Sequence, residues 1–313
     1  MNETKTTVLA SGLDKYFSEF DSTLSLVDDL IRQRKHPAEV LILLCARLDA
    51  LASDAADQET SNRRTFLGFL NTYGQQGDLF RSVSAGDLYW DLGFHRWRLE
   101  GTVREPGRLY RFSSIDDPLL HLLEFSGVPL TLRDCGRLLD SLMRAVQSSF
   151  HVRPRQSRSK VLYASTDRVT EELVKGLERT RLRKFVADLP KALEPLLDAK
   201  KIGSQLYQRF RCEAIHSAGV RLDHDRFFSD TTLYWEPLYS EFYGSFELVT
   251  FPARFLFDCL KSCIQTYRAH LLHKKKLPPA VHFHTFRDVI EHLELLDQTL
   301  IAGGGAVRLR YGR

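Results

Sequence analysis

The sequence predicts an all-α fold: a helical bundle interrupted in the middle by an irregular, partly β insertion. Three observations carry this. Apolar residues recur at helical spacing through long stretches on either side of the middle. Boundary residues fall where helices need them, with Pro37 fit for a first helical position and Gly219 for a left-handed stop. The 43% hydrophobic and 27% charged content is that of a soluble globular chain with ample core.

From the N-terminus, Leu13 to Lys35 carries Phe17, Phe20, Leu24, Val27, Leu30 and Ile31 on one stripe. Pro37 opens a second helix with Leu41, Leu44, Cys45, Leu48 and Leu51, apolar over so wide an arc that it belongs at the centre. Within it, Arg47 and Asp49 read as opposite charges on an exposed or interface face. Asn62 to Tyr73 is a third helix. Gly74 to Phe112 mixes turn residues, arginines and aromatics and reads as an irregular loop packed on the bundle, with a short hairpin around Glu105-Pro-Gly107.

Further helices are expected at Leu119–Phe125, Leu132–Val146, from Thr166 to a bend or end near Pro190 and Pro195, and at Leu197–Ser217. Arg221 to Tyr243 reads as a long excursion. Ser245 to Leu272 reads as a long helix with Pro252 near its start or kinking it, and Thr285 to Leu300 as the last, with Thr285 at the N-cap. Residues 1–302 are therefore read as one helical domain, with 74–150 as an insertion or subdomain and 303–313 as a flexible basic tail.

The net charge of +4 permits a nucleic-acid partner without demanding one. The longest apolar run, Val40 to Ala46, is too short to span a bilayer, and the first residues lack a secretory apolar segment, so the expected location is cytoplasmic with no membrane contact. The five cysteines show no secreted-type framework. Cys259 and Cys263 share a helix and His282-Phe-His284 a loop, but neither pair completes a ligand set. No metal or cofactor is expected. No glycine-rich phosphate loop, nucleophile elbow or zinc signature occurs.

The segment with most chemistry is Leu206-Tyr-Gln-Arg-Phe-Arg-Cys-Glu-Ala-Ile-His-Ser-Ala-Gly219. It sets Arg211 five residues before His216 near a helix end, where side chains can face a cleft. An arginine can grip a phosphate through two parallel donors, and a histidine moves protons near neutral pH. Two other Arg-x4-His spacings occur. Arg287/His292 sits within an amphipathic helix, and Arg268/His273 lies beside the solvated Lys274-Lys-Lys276. On a regular helix five positions rotate by about 500°, leaving side chains roughly 140° apart. Arg211 and His216 therefore share a stripe only if the helix loosens, or else two copies of the motif meet across a dimer. Residues 150–184 hold ten Lys or Arg against four acids. Their early part, with Arg153, Arg155, Arg158 and Lys160, reads as an exposed loop able to attract RNA phosphates, to which Arg209 would add.

The Arg211-Cys-Glu-Ala-Ile-His216 segment, closed by Ser-Ala-Gly219, resembles the Arg-x4-6-His motif of the HEPN superfamily, and Val40–Ala52 resembles an early core helix of its bacterial members. The resemblance covers roughly 10–75 and 165–275. It implies a HEPN-like bundle that dimerises, brings two motifs together in a basic cleft and cleaves RNA without metal, as a toxin with an antitoxin partner or in defence against phage. On that reading Arg211 contacts the scissile phosphate and His216 transfers the proton, with Cys212 and Glu213 in support. The family often has Asn, Asp or His after its arginine; Cys212 departs from that pattern and bears on activity. The alternative is a non-catalytic HEPN-like module binding nucleic acid, nucleotide or protein. Exposure discriminates: a cleft-facing pair at a two-fold interface favours the enzyme, a buried pair satisfied within one chain the module.

Overall fold

In the computed structural model, the residues described are 2–56, 62–104, 132–149, 163–178, 189–212, 223–240, 244–276 and 278. About 82% of the structure is helical, with two small antiparallel sheets, so the fold is all-α. The first helices follow the expected order: α1 (Asn2–Gln33), α2 (Pro37–Asp54) and α3 (Asn62–Tyr73). Pro37 opens α2 because its missing N–H is one the first turn does not use.

The insertion is more helical than its composition suggests. After α4 (Gly77–Arg81) and β1 (Val83–Ser84) comes α5, a helix over Ala85–Arg104 where an irregular loop was expected. Among its described side chains Ala85, Leu88 and Leu92 are fully buried and mark the core side, while the aromatics and arginines of the sequence blur the periodicity. The Glu105–Gly107 hairpin and the Leu119–Phe125 helix lie outside the described residues. α6 (Leu132–Ser149), β2 (Tyr163–Ala164), α7 (Thr166–Glu178) and α8 (Leu189–Ala199) follow. Pro190 falls in the first turn of α8; Pro195 is carried inside it.

Two corrections concern the next third. The expected Leu197–Ser217 helix is broken at Lys200–Lys201, then resumes as a short α9 (Ile202–Gln205) and a π-helical segment, Leu206–Cys212. The expected excursion is ordered as α10 (His224–Ser229), capped by Asp223 Oδ1 accepting from the amides of Asp225 and Arg226, and by the hairpin of β3 (Tyr234–Ser240) with β4 (Gly244–Thr250). The last described helix, α11 (Ala253–Lys274), therefore starts after Pro252 rather than at Ser245. Thr285–Leu300 and the tail lie outside the described residues.

The larger core gathers α1, α2, α3, α9, the π segment, α10 and α11. Leu41, Leu44, Cys45, Leu48 and Leu51 of α2 are fully buried at its centre. α1 and α11 run antiparallel along it, Asp14 accepting from Arg268 at one end and Asp28 from Arg254 at 2.9 Å at the other. A second core is built from Val83, Leu88 and Leu92, from Leu138, Leu139 and Leu142 of α6, and from α7 and α8. It thus draws on chain well beyond residue 150 as well as on the insertion.

The two cores meet along a polar seam. The Ser84 amide donates to Lys200 O at 2.9 Å and the Ile202 amide to Ser82 O at 2.8 Å. Asp87, 3% exposed, accepts from Arg209 at 2.8 Å, from the Val249 amide at 3.1 Å and from Ser84 Oγ. Lys200 and Asp91 add an ion pair at 3.1 Å.

Candidate functional site

The chain reaches the site through a close approach. Gly203 in α9 lies where a Cβ would sit 3.0 Å from Leu67 Cδ2 and 3.1 Å from the Phe80 carbonyl oxygen. Ser204 Oγ donates to Asp198 O at 2.7 Å and Gln205 to Ala199 O at 2.8 Å, so the buried start of this segment is pinned to the end of α8. Leu206 and Phe210 then enter the larger core, Phe210 meeting Phe251 edge-on at 4.9 Å. Anchored there, the π-wound turn delivers Arg211 to α2.

Arg211 is 9% exposed. Its Nε donates to Asp49 Oδ1 at 3.2 Å and its Nη2 to Asp49 Oδ2 at 2.6 Å, a side-on bidentate pair. Nη1 points weakly at Cys212 Sγ, 3.9 Å away. The guanidinium lies over the Tyr207 ring, 5.1 Å from its centroid. A guanidinium has five N–H bonds. Asp49 takes two through the Nε side and Cys212 Sγ a long third from Nη1, which leaves two N–H bonds at the Nη1/Nη2 end without a partner among the described residues. The pairing holds the Arg211 pKa well above its ordinary value, chiefly through the hydrogen bonds it donates to Asp49, so the charge is fixed.

Asp49 is the residue that sequence reasoning missed. It reads as half of an exposed charge pair with Arg47, but its neighbour Arg47 turns to α1, donating to Thr23 Oγ1 at 3.0 Å and covering Phe20. The available signal was position: Asp49 lies one turn beyond Cys45, which is fully buried. The Cys45 thiol is pushed up to about 12 by burial, with Arg211 opposing. Cys212 is half-buried beside Arg211.

The other expected residues divide. His216 and Glu213 lie outside the described residues, as do Arg153, Arg155, Arg158 and Lys160. Arg209 lies in the seam, bonded to Asp87 and reaching Val249 O at 3.4 Å, with 31% of its side chain exposed. Of the competing spacings, Arg268 is tied to Asp14 while His273 is exposed in the last turn of α11; Arg287/His292 is outside the described residues, as is His282-Phe-His284. Cys259 raises the Cys263 pKa by hydrogen bonding, burial adding to the effect. Among the described residues no three His, Cys, Asp or Glu are grouped to hold a metal, and no helix is long and apolar enough to cross a membrane.

Tyr207 joins the site from one turn before Arg211. Its ring packs on Phe66, centroids 5.5 Å apart. Its side chain is half-buried, and its hydroxyl makes no hydrogen bond to a described residue. No protein-family model, curated protein or solved structure matches this chain.

Proposed function

We propose that this chain is a HEPN-like, metal-independent endoribonuclease in which Arg211 holds the scissile phosphate and His216 moves the proton. The observation that carries the reading is the side-on pairing of Arg211 with Asp49, which orients the guanidinium and leaves N–H bonds at its Nη1/Nη2 end without a partner among the described residues. A cationic fork locked by a neighbouring carboxylate is prepaid in orientation, as a phosphate-gripping group needs to be. Attack of a 2′-OH on its adjacent phosphate needs a base, an acid and charge stabilisation, and no cofactor. Two copies in a homodimer would supply two of each group. Action as a toxin held by an antitoxin protein, or as an anti-phage effector, extends the same reading.

The second reading, a non-catalytic module binding nucleic acid, nucleotide or a protein partner, is favoured by the burial of Arg211. On this reading the Asp49 pair ties the π segment to α2, and its partner comes from the same chain.

Cleavage of a mixed RNA pool in EDTA separates the two. Wild type, Arg211→Ala/His216→Ala and Arg287→Ala/His292→Ala proteins are compared, each checked for folding. Cleavage lost only in the first variant supports the ribonuclease. No cleavage by folded, dimeric wild type overturns it in favour of the module.

A further inference from the structure

We infer that Tyr207 is a second RNA-contacting residue of this site, its hydroxyl donating to a phosphodiester oxygen of the strand that Arg211 grips. The inference rests on the ribonuclease reading, in which RNA lies against the Nη1/Nη2 end of Arg211. The two side chains stand one turn apart on the π-wound segment, Arg211 over the Tyr207 ring at 5.1 Å. Phe66 packs on the same ring at 5.5 Å, so the ring of this half-buried side chain is held between neighbours. A base therefore does not stack on Tyr207; the group on offer is the phenol.

The chemistry of that phenol fits a phosphate. Burial holds its pKa above the ordinary value despite the opposing charges of Arg211 and Arg63, so it is a protonated donor at neutral pH. Among the described residues the hydroxyl has no acceptor within the chain. Arg63 is itself engaged, its Nη2 donating to Ser204 Oγ at 3.0 Å and to Asp198, and its role is to add positive field rather than a direct grip. A phosphodiester bridging the Nη1/Nη2 end of Arg211 and the Tyr207 hydroxyl would engage both, and would set the register of the strand on one side of the scissile bond.

The test is Tyr207→Phe in the full chain, with a fluorescent single-stranded RNA 12-mer, reading anisotropy and cleavage in EDTA. The substitution keeps the packed ring, and the melting temperature checks that. The expected result is a Kd and KM raised about tenfold, the size of one hydrogen bond to a charged group, with kcat within about twofold and an unchanged melting temperature. If wild type cleaves and Tyr207→Phe matches it in Kd and KM, the Tyr207 inference falls and the ribonuclease reading stands. If wild type binds without cleaving, the ribonuclease reading falls, and a tenfold weaker Tyr207→Phe still supports the contact. If wild type neither binds nor cleaves, both fall.

Discussion

Arg211 and Asp49 meet edge to edge across 162 positions of sequence, with Nη2 and Oδ2 2.6 Å apart, and so fix the π segment to the central helix of the larger core. The arginine side chain is 10% exposed and the carboxylate 26%, so removing the carboxylate strands a charge that water reaches poorly. Asp49→Ala is expected to cost about 2–4 kcal/mol in urea unfolding, and Asp49→Asn less, because the amide oxygen still accepts. A loss within experimental error for Asp49→Ala would show that the pair is not holding the segment. In the cleavage assay both variants should lower the rate if Arg211 depends on this partner for its orientation.

The polar seam makes its own prediction. Asp87 is buried and accepts from a side chain of the π segment, from the backbone of β4 and from Ser84. Asp87→Ala removes both carboxylate oxygens and with them three hydrogen bonds at once, and is expected to destabilise by about 2–4 kcal/mol. Because the contacts lie between the two cores, unfolding followed by probes in each core should lose coincidence in this variant and keep it in the wild type.

Gly176 offers a test of packing between α6 and α7. An alanine there would put its Cβ 2.7 Å from Ala145 Cβ. Replacing glycine by alanine inside a helix normally stabilises by up to about 1 kcal/mol. Here Gly176→Ala is expected to destabilise by about 1–3 kcal/mol through overpacking, and adding Ala145→Gly should recover part of it. A stabilised Gly176→Ala protein would contradict the close approach of these helices.

Alkaline pH should weaken the fold. Cys45 and Tyr234 are each pushed up to about 12, burial being the first cause for both, and Tyr16 is raised further by burial and by its hydrogen bond to Asp54. These folded values lie above the unfolded ones near 8.5–10. Between them the folded chain keeps protons that the unfolded chain has released. The stability they contribute is complete below about pH 9 and declines as pH rises toward 12. Urea midpoints from pH 7 to 11 should be level and then fall, and Cys45→Ala should make the fall shallower.

Much of the helical framework was legible in the sequence because it follows one rule. In α1, α2, α3 and α7 each buried stripe is aliphatic or aromatic and the opposite face charged, so periodicity finds them; the bounds of α3 coincide with the residues read from sequence. α5 escaped notice because its sequence mixes aromatics and arginines with no clear apolar period. The β3–β4 hairpin escaped because Pro237 and Gly244 sit in strands with little alternation. Arg211 was legible as chemistry through its spacing to His216, whereas Asp49 was not: an ion pair between distant segments leaves no local pattern in either. The break at Lys200–Lys201 is likewise set by tertiary contacts, the Ser84 and Ile202 amides bonding across the seam.

The π winding of Leu206–Cys212 can also be viewed as a matter of chain length. A π turn is an α turn carrying one residue more than it needs. Losing that residue would let the segment relax to regular helix, and the side chains wound within the turn would be redistributed around its axis while the flanking chain kept its phase. Arg211 would then leave Asp49. The site thus depends on how many residues the segment contains as well as on which ones, and a shortened variant with every named side chain intact would still lose it.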